Sequence, residues 1–219
     1  MIKAIVFDFD GLIIDTEYAL YESLCDLLNV QPNQEIPIKE YASYIGSDST
    51  DLFNYVWDKS NGLLTKKDLI DKSKLLHEEK LRNPVAREGV KSYLQQAKDQ
   101  GMKIGLASSS YLDWVEHFLT ELDIIHYFDA IQTRDHVEKV KPDPALYRNV
   151  VELLGVEPSE AIAFEDSGNG SKAAIAAGLH CVIVPNKITE HLLFEKYHAR
   201  LTSMEEKKLS DVIEAIEAV

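Results

Sequence analysis

Cysteine is scarce in this chain: Cys25 and Cys181 are the only two in 219 residues. Two thiols so far apart in sequence make neither a disulfide framework nor a metal pair, so each is read as a buried apolar side chain. Long apolar runs are missing too. Ala4 to Phe7 and Ala173 to Leu179 fall far short of the roughly 18–20 residues that span a bilayer. The N-terminus has no basic region, no long apolar region and no small-residue cleavage site. No signal peptide is therefore read, and a cytoplasmic protein is expected. Positive charge is also in deficit, with 23 Lys and Arg against 37 Asp and Glu, a formal net charge of −14. Such a surface repels nucleic-acid backbones and anionic membranes, so an anionic ligand must find a local cation. The seven histidines show no metal-ligand spacing.

What remains is an ordinary globular composition, 45 % apolar and 27 % charged, in a length that suits one large domain or a core with a smaller insert. Ala4-Ile5-Val6-Phe7 is a β-prone apolar run ending in acids, as expected of a strand covered on both faces. Similar runs lie at Lys103 to Ala107, Ala161 to Phe164 and Cys181 to Val184, with a weaker one at Phe128 to Gln132. Helical periodicity falls between them, at 87–100, 111–122, 143–154 and 169–177. This alternation predicts an α/β fold with a doubly wound parallel sheet.

Residues 16–83 break the alternation. They carry helical leucines (Leu20, Leu24, Leu27, Leu28, Leu69, Leu75, Leu76) and no convincing strand. They read as an inserted helical domain, returning at Asn83-Pro84, where the residue before proline resists helix. The core would then comprise 1–15 and 84–219. The stretch from Ser203 to Val219 reads as an amphipathic helix packed on the sheet.

Open α/β sheets bind ligands beyond the carboxyl ends of their strands, and the residues there are reactive types. The first run ends Asp8-Phe9-Asp10-Gly11. Period two puts both carboxylates on one face, and Gly11 permits an abrupt turn. One carboxylate can attack phosphorus while the other protonates the leaving oxygen and later deprotonates water. A solvated strand end or a plain metal site would look the same. The second run ends Ala107-Ser108-Ser109-Ser110. Its hydroxyl and the backbone N–H groups at the start of the next helix would hold a phosphate oxygen, or else simply cap that helix. Val140-Lys141-Pro142-Asp143-Pro144 holds a lysine in a stiff loop, a point charge for an anion or a solvated turn. The run at 161–164 ends Glu165-Asp166-Ser167-Gly168-Asn169-Gly170. Its adjacent acids need a cation, and with Asp8 they would form an all-oxygen site suited to Mg²⁺.

Taken in order, Phe7-Asp8-Phe9-Asp10-Gly11-Leu12-Ile13-Ile14-Asp15, Leu106-Ala107-Ser108, Lys141-Pro142 and Phe164 to Gly170 resemble the four motifs of the haloacid dehalogenase superfamily. The helical insert is similar to the cap of the branch containing β-phosphoglucomutases and phosphoglycolate phosphatases. The resemblance implies that Asp8 is the nucleophile and Asp10 the general acid and base. It implies that Ser108, with Ser109 beside it, and Lys141 bind the phosphoryl group. Asp8, Glu165, Asp166 and the backbone carbonyl of Asp10 would then hold Mg²⁺. Members that attack carbon lack the second aspartate, so Asp10 favours phosphoester chemistry.

In the cap, Leu20, Ile45 and Ser49 stand where the mutases carry a histidine and basic residues. A second substrate phosphate beside Asp48 would lack a cation. Gly46 and Ser47 are the expected cap contacts. The expectation is a Mg²⁺-dependent phosphatase, a monomer acting on a small phosphorylated metabolite, with no nucleic-acid or membrane partner. The alternatives are a phosphoryl-transferring mutase and a non-enzymatic phospho-acceptor like a response-regulator receiver.

Overall fold

The computed structural model describes residues 1–28, 36–45 and 50–218. Among these, β1 (Ala4–Phe7), β2 (Lys103–Ala107), β3 (Ala130–Gln132), β4 (Ala161–Glu165), β5 (His180–Ile183) and β6 (Ala199–Arg200) form one sheet in the order β3-β2-β1-β4-β5-β6. Every pairing is parallel. The strand order reverses between β1 and β4, and ligands of doubly wound sheets bind outside the carboxyl ends at that point.

After β1 the chain leaves the sheet for α1 (Thr16–Leu28), α2 (Ile38–Ala42), α3 (Thr50–Lys59) and α4 (Lys66–Lys80). It then returns through α5 (Val90–Asp99). The remaining helices are α6 (Leu112–Glu121), α7 (Ala145–Leu154), α8 (Gly168–Ala177) and α9 (Leu209–Glu217). Among the described residues no helix is long and apolar enough to cross a membrane.

All four residues of β1 are buried, and period two divides them between two core layers. Ile5 and Phe7 join Leu106, Phe164 and Val182 under α5, α6 and α9, while Ala4 and Val6 join Ala161, Ala163 and Ile183 under α7 and α8. The second layer uses small residues because α7 lies close: a Cβ added at Gly105 would press into the Val150 side chain. In the first layer Phe7 stacks on Phe164 at 5.6 Å, and Tyr93 meets Phe164 edge-on at 5.4 Å. Each such buried ring is worth about 1.5–3 kcal/mol.

Helices α1 to α4 gather round a separate apolar cluster that includes Leu24, Leu28, Tyr41, Leu52, Val56 and Leu69. Ile188 and Leu192, from the segment after β5, join that cluster and seat the insert on the sheet body. The two crossings lie side by side, with Ile14 bridged to Ala86 and the Arg87 N–H donating to the Ile13 carbonyl at 2.8 Å.

Several expectations are corrected in detail. The fourth strand runs one residue further, so Glu165 is its last member, and β5 begins at His180 instead of Cys181. β6 has two residues, too few for any periodicity to reveal. The terminal helix starts at Leu209, because Glu206 accepts from the Thr202 hydroxyl at 2.8 Å and closes a turn ahead of it. Cys181 is buried, but Cys25 is only half-buried. It follows Leu24 on α1, about 100° away from the stripe that packs inward.

Candidate active site

In the β1–β4 register Phe7 stands opposite Phe164, and the Asp8 N–H donates to the Phe164 carbonyl at 3.0 Å. Asp8 is thereby set beside Glu165. Asp8, Glu165 and Asp166 are all buried, and one carboxylate oxygen from each lies within 4.8 Å of the others. Lys141, 2 % exposed, bridges two of them, its Nζ standing 2.5 Å from Asp8 Oδ1 and 2.7 Å from Glu165 Oε1. The Tyr147 hydroxyl donates to the same Glu165 oxygen at 2.6 Å, and Ser167 Oγ donates to Oε2 at 3.2 Å. Glu165 lies so close over the first turn of α8 that a Cβ at Gly170 would overlap its carboxylate. Asp166 Oδ2 accepts from Asn186 Nδ2 at 2.7 Å, whereas Asp166 Oδ1 is buried with no partner among the described residues.

Burial, then the neighbouring Glu165 charge, pushes Asp8 up to about 7 against the opposing pull of Lys141. Burial, Asp8 and Glu165 likewise hold Asp166 well above the usual carboxylate range. For Lys141, burial alone would lower the ammonium, but Asp8 and Glu165 together outweigh it and raise it. Arg87 lies near Asp166, yet its guanidinium is occupied by the carbonyls of Gly11, Val184 and Pro185. Three buried acids thus crowd together with one ammonium, Lys141, which reaches only Asp8 and Glu165. An all-oxygen donor set with an orphaned buried carboxylate oxygen and excess negative charge fits a Mg²⁺ ion.

Asp10 stands at the edge of this cluster. Its Oδ1 accepts from Thr16 Oγ1 at 2.7 Å and Trp114 Nε1 at 3.0 Å, and its Oδ2 accepts from Ser110 Oγ at 2.5 Å. Gly11 turns the chain here with φ +78°, and any Cβ would overlap the Asp166 carboxylate. Ser108 is buried, with its N–H on the Gln132 carbonyl at 2.9 Å and its Oγ accepting from the Ser110 N–H at 3.0 Å. It does not cap the next helix, which begins only at Leu112 with Tyr111 before it. Ser109 Oγ is buried without a partner among the described residues.

These groups open into a cleft of about 830 Å³ between the strand ends and the helical insert. Leu20 and Ile45 line it from the insert. Gly46, Ser47, Asp48 and Ser49 lie outside the described residues.

Several functional neighbours escape sequence reasoning. Glu17 lines the cleft, where burial, then Asp10 and Asp8, push it up to about 8, and the Tyr41 hydroxyl lies 3.5 Å from its Oε2. In the sequence it is simply an acid in the first turn of a helix. Tyr147 and Trp114 fall on helical stripes shared with core residues, and Asn186 sits in a loop with no motif. Ser110 was in view as the last of three serines, but nothing local singled it out.

A family model described as haloacid dehalogenase-like hydrolase matches residues 5–184. YhcW, a candidate phosphatase of Bacillus subtilis, is 44 % identical over 211 residues, 96 % of each chain. The phosphorylated carbohydrates phosphatase of Thermotoga maritima is 32 % identical over 183 residues, 81 % of this chain and 82 % of that one. The crystal structure of CbbY from Rhodobacter sphaeroides in complex with phosphate superposes with a TM-score of 0.73 at 26 % identity, covering 94 % of this chain and 96 % of the other.

Proposed function

The chain belongs to the haloacid dehalogenase-like hydrolase family, and on that premise we propose that it is a Mg²⁺-dependent phosphatase acting through an aspartyl-phosphate on Asp8. Its substrate is a small phosphorylated metabolite of the sugar phosphate or phosphoglycolate class. The observation that carries this reading is a buried carboxylate at the switch point of the sheet, held by Lys141 at 2.5 Å, next to the partnerless oxygen of Asp166.

Asp8 attacks phosphorus, and the bond from phosphorus to the substrate oxygen breaks. Asp10, in its acid form, gives its proton to that oxygen and then takes one from the water that cleaves the aspartyl-phosphate. Lys141 and the Ser108 hydroxyl hold the phosphoryl oxygens, and Lys141 fixes the attacking carboxylate through the same ammonium. Asp8, Asp166 and the Asp10 carbonyl would hold the ion, with Glu165 behind them. Its chemistry there is to offset the charge gathered by the acids and the substrate phosphate.

We assign the choice of substrate to the insert, 16–83, as a cap over the cleft. Glu17, pushed up to about 8, offers a sugar hydroxyl both a donor and an acceptor. The named activity of the Thermotoga maritima relative, on phosphorylated carbohydrates, supports the same class. Phosphate release from a panel of phosphosugars, phosphoglycolate, nucleotides and pyrophosphate, with Mg²⁺ and then with chelator, tests the reading. Undiminished hydrolysis in excess chelator would remove the metal from it.

The ion should also be visible without turnover. Mg²⁺ at about 100 times its dissociation constant should stabilise the fold by about 2.7 kcal/mol. Calorimetry against a chelated control reads this as a rise in Tm, which Asp166→Ala should diminish. Equal Tm values with and without Mg²⁺ would refute the site.

Leu20 and Ile45 supply no cation at the two places where the mutases carry a basic group, although Lys74, Arg82 and Arg134 line the cleft elsewhere, whereas a hydrolytic water needs no second cation. Steady phosphate release is therefore expected, with negligible conversion of β-glucose 1-phosphate to glucose 6-phosphate. A coupled glucose-6-phosphate assay primed with glucose 1,6-bisphosphate measures both, and isomerisation outpacing release would favour the mutase instead.

A further inference from the structure

We propose that Trp114 is a positioning residue for Asp10, tying the orientation of that carboxylate to the seat of the helical insert. The proposal rests on the reading of Asp10 as general acid and base. Its grounds are geometric. The indole Nε1 of Trp114 donates to Asp10 Oδ1 at 3.0 Å, and the same ring meets Phe118 edge-on at 4.6 Å and His77 at 5.4 Å with planes 30° apart. His77 belongs to α4, in the insert, and its Nε2 lies 3.0 Å from the carbonyl oxygen of Thr16. The Thr16 hydroxyl returns to Asp10 Oδ1 at 2.7 Å. Asp10, Trp114, His77 and Thr16 thus close a ring of contacts across the seam between insert and sheet body. The insert cannot shift over the cleft without altering the hold on Asp10.

An indole N–H donates and never accepts, so Trp114 fixes Asp10 Oδ1 from one direction while Oδ2 faces the Ser110 hydroxyl at 2.5 Å. Neither Trp114 nor His77 need touch the reacting atoms.

Trp114→Phe keeps a ring against His77 and Phe118 but removes the N–H. Its kcat/KM should be compared on the fastest sugar phosphate of the panel and on p-nitrophenyl phosphate. The sugar alkoxide must be protonated as it leaves; the nitrophenolate leaves without a proton. Losing one hydrogen bond to a charged group should lower the sugar phosphate value about tenfold more than the aryl value. His77→Leu, which keeps the indole N–H, should show the same bias to a smaller degree. With only two tryptophans in the chain, Trp57→Phe leaves Trp114 as the sole reporter. Its emission should shift on adding Mg²⁺ with orthovanadate, and His77→Leu should abolish the shift. Equal losses on both esters in Trp114→Phe would mean a merely structural role and overturn the proposal, as would an emission shift that survives His77→Leu. Wild-type protein that hydrolyses neither ester is a different result, which overturns the phosphatase reading and the positioning role with it.

Discussion

Asp8→Asn is expected to lower turnover by about 10⁴-fold or more while the fold persists. An amide is a poor nucleophile toward phosphorus, and the substitution also removes one of the acids expected to hold the ion. Stability should not suffer, for an electrostatic reason. Asp8 is pushed up to about 7 by burial and by Glu165, so its ionisation opposes folding as the pH rises from about 4, where the unfolded carboxyl group titrates. Asparagine has no such ionisation, and its carbonyl oxygen can still accept from Lys141. Metal-free Asp8→Asn should therefore match or exceed the wild-type Tm at pH 7 to 8. Phosphate release measured beside circular dichroism checks both parts, and ordinary hydrolysis by a folded Asn variant would sink the nucleophile assignment.

Lys141→Met should damage activity and stability together. The ammonium is 2 % exposed and lies between Asp8 and Glu165. Its removal leaves two buried carboxylates facing each other, which costs about 3–5 kcal/mol when a buried ion pair is broken from one side. Turnover should fall by roughly 10³-fold, as for the loss of a transition-state donor. The stability deficit has a definite pH dependence. Asp8 and Asp166 already titrate above their ordinary range, and without the pull of Lys141 the Asp8 carboxyl shifts further upward. Their protonation relieves the repulsion, so the deficit should be largest near pH 8 and shrink toward pH 5. Mg²⁺ should recover part of the Tm but little of the activity. Urea titrations of both proteins at pH 5 and 8 measure this, and an unchanged midpoint at pH 8 would refute the bridging role.

The sheet was legible because parallel strands covered on both faces are apolar along their buried length, as the run ending at Phe7 is throughout and the run ending at Ala107 is after its exposed first residue, Lys103. Asp8, Ser108, Lys141, Glu165 and Asp166 were legible for a related reason. All but Lys141, which lies in the Lys-Pro loop between β3 and α7, sit in a short local pattern at a strand end, where the fold class alone says a ligand would bind. By contrast, Glu17, His77, Trp114 and Tyr147 lie within helices, where a residue facing the cleft has the same spacing as one facing the core. Asn186 reaches Asp166 across 20 positions and Gly11 across 175, separations that no local pattern encodes.

The amino-acid sequence by itself therefore determined the strands, the helical insert and the reactive residues at the strand ends, because hydrophobic period and turn chemistry act over a few neighbours. Only the tertiary structure decided how charge is shared among them. That Lys141 bridges Asp8 and Glu165, that one oxygen of Asp166 is left without a partner, and that Asp10 is gripped by Thr16, Ser110 and Trp114 depends on the parallel register of β1 with β4 and on the seating of the insert. Burial and electrostatic coupling are properties of distances in space, and the chain brings those distances into being only when it folds.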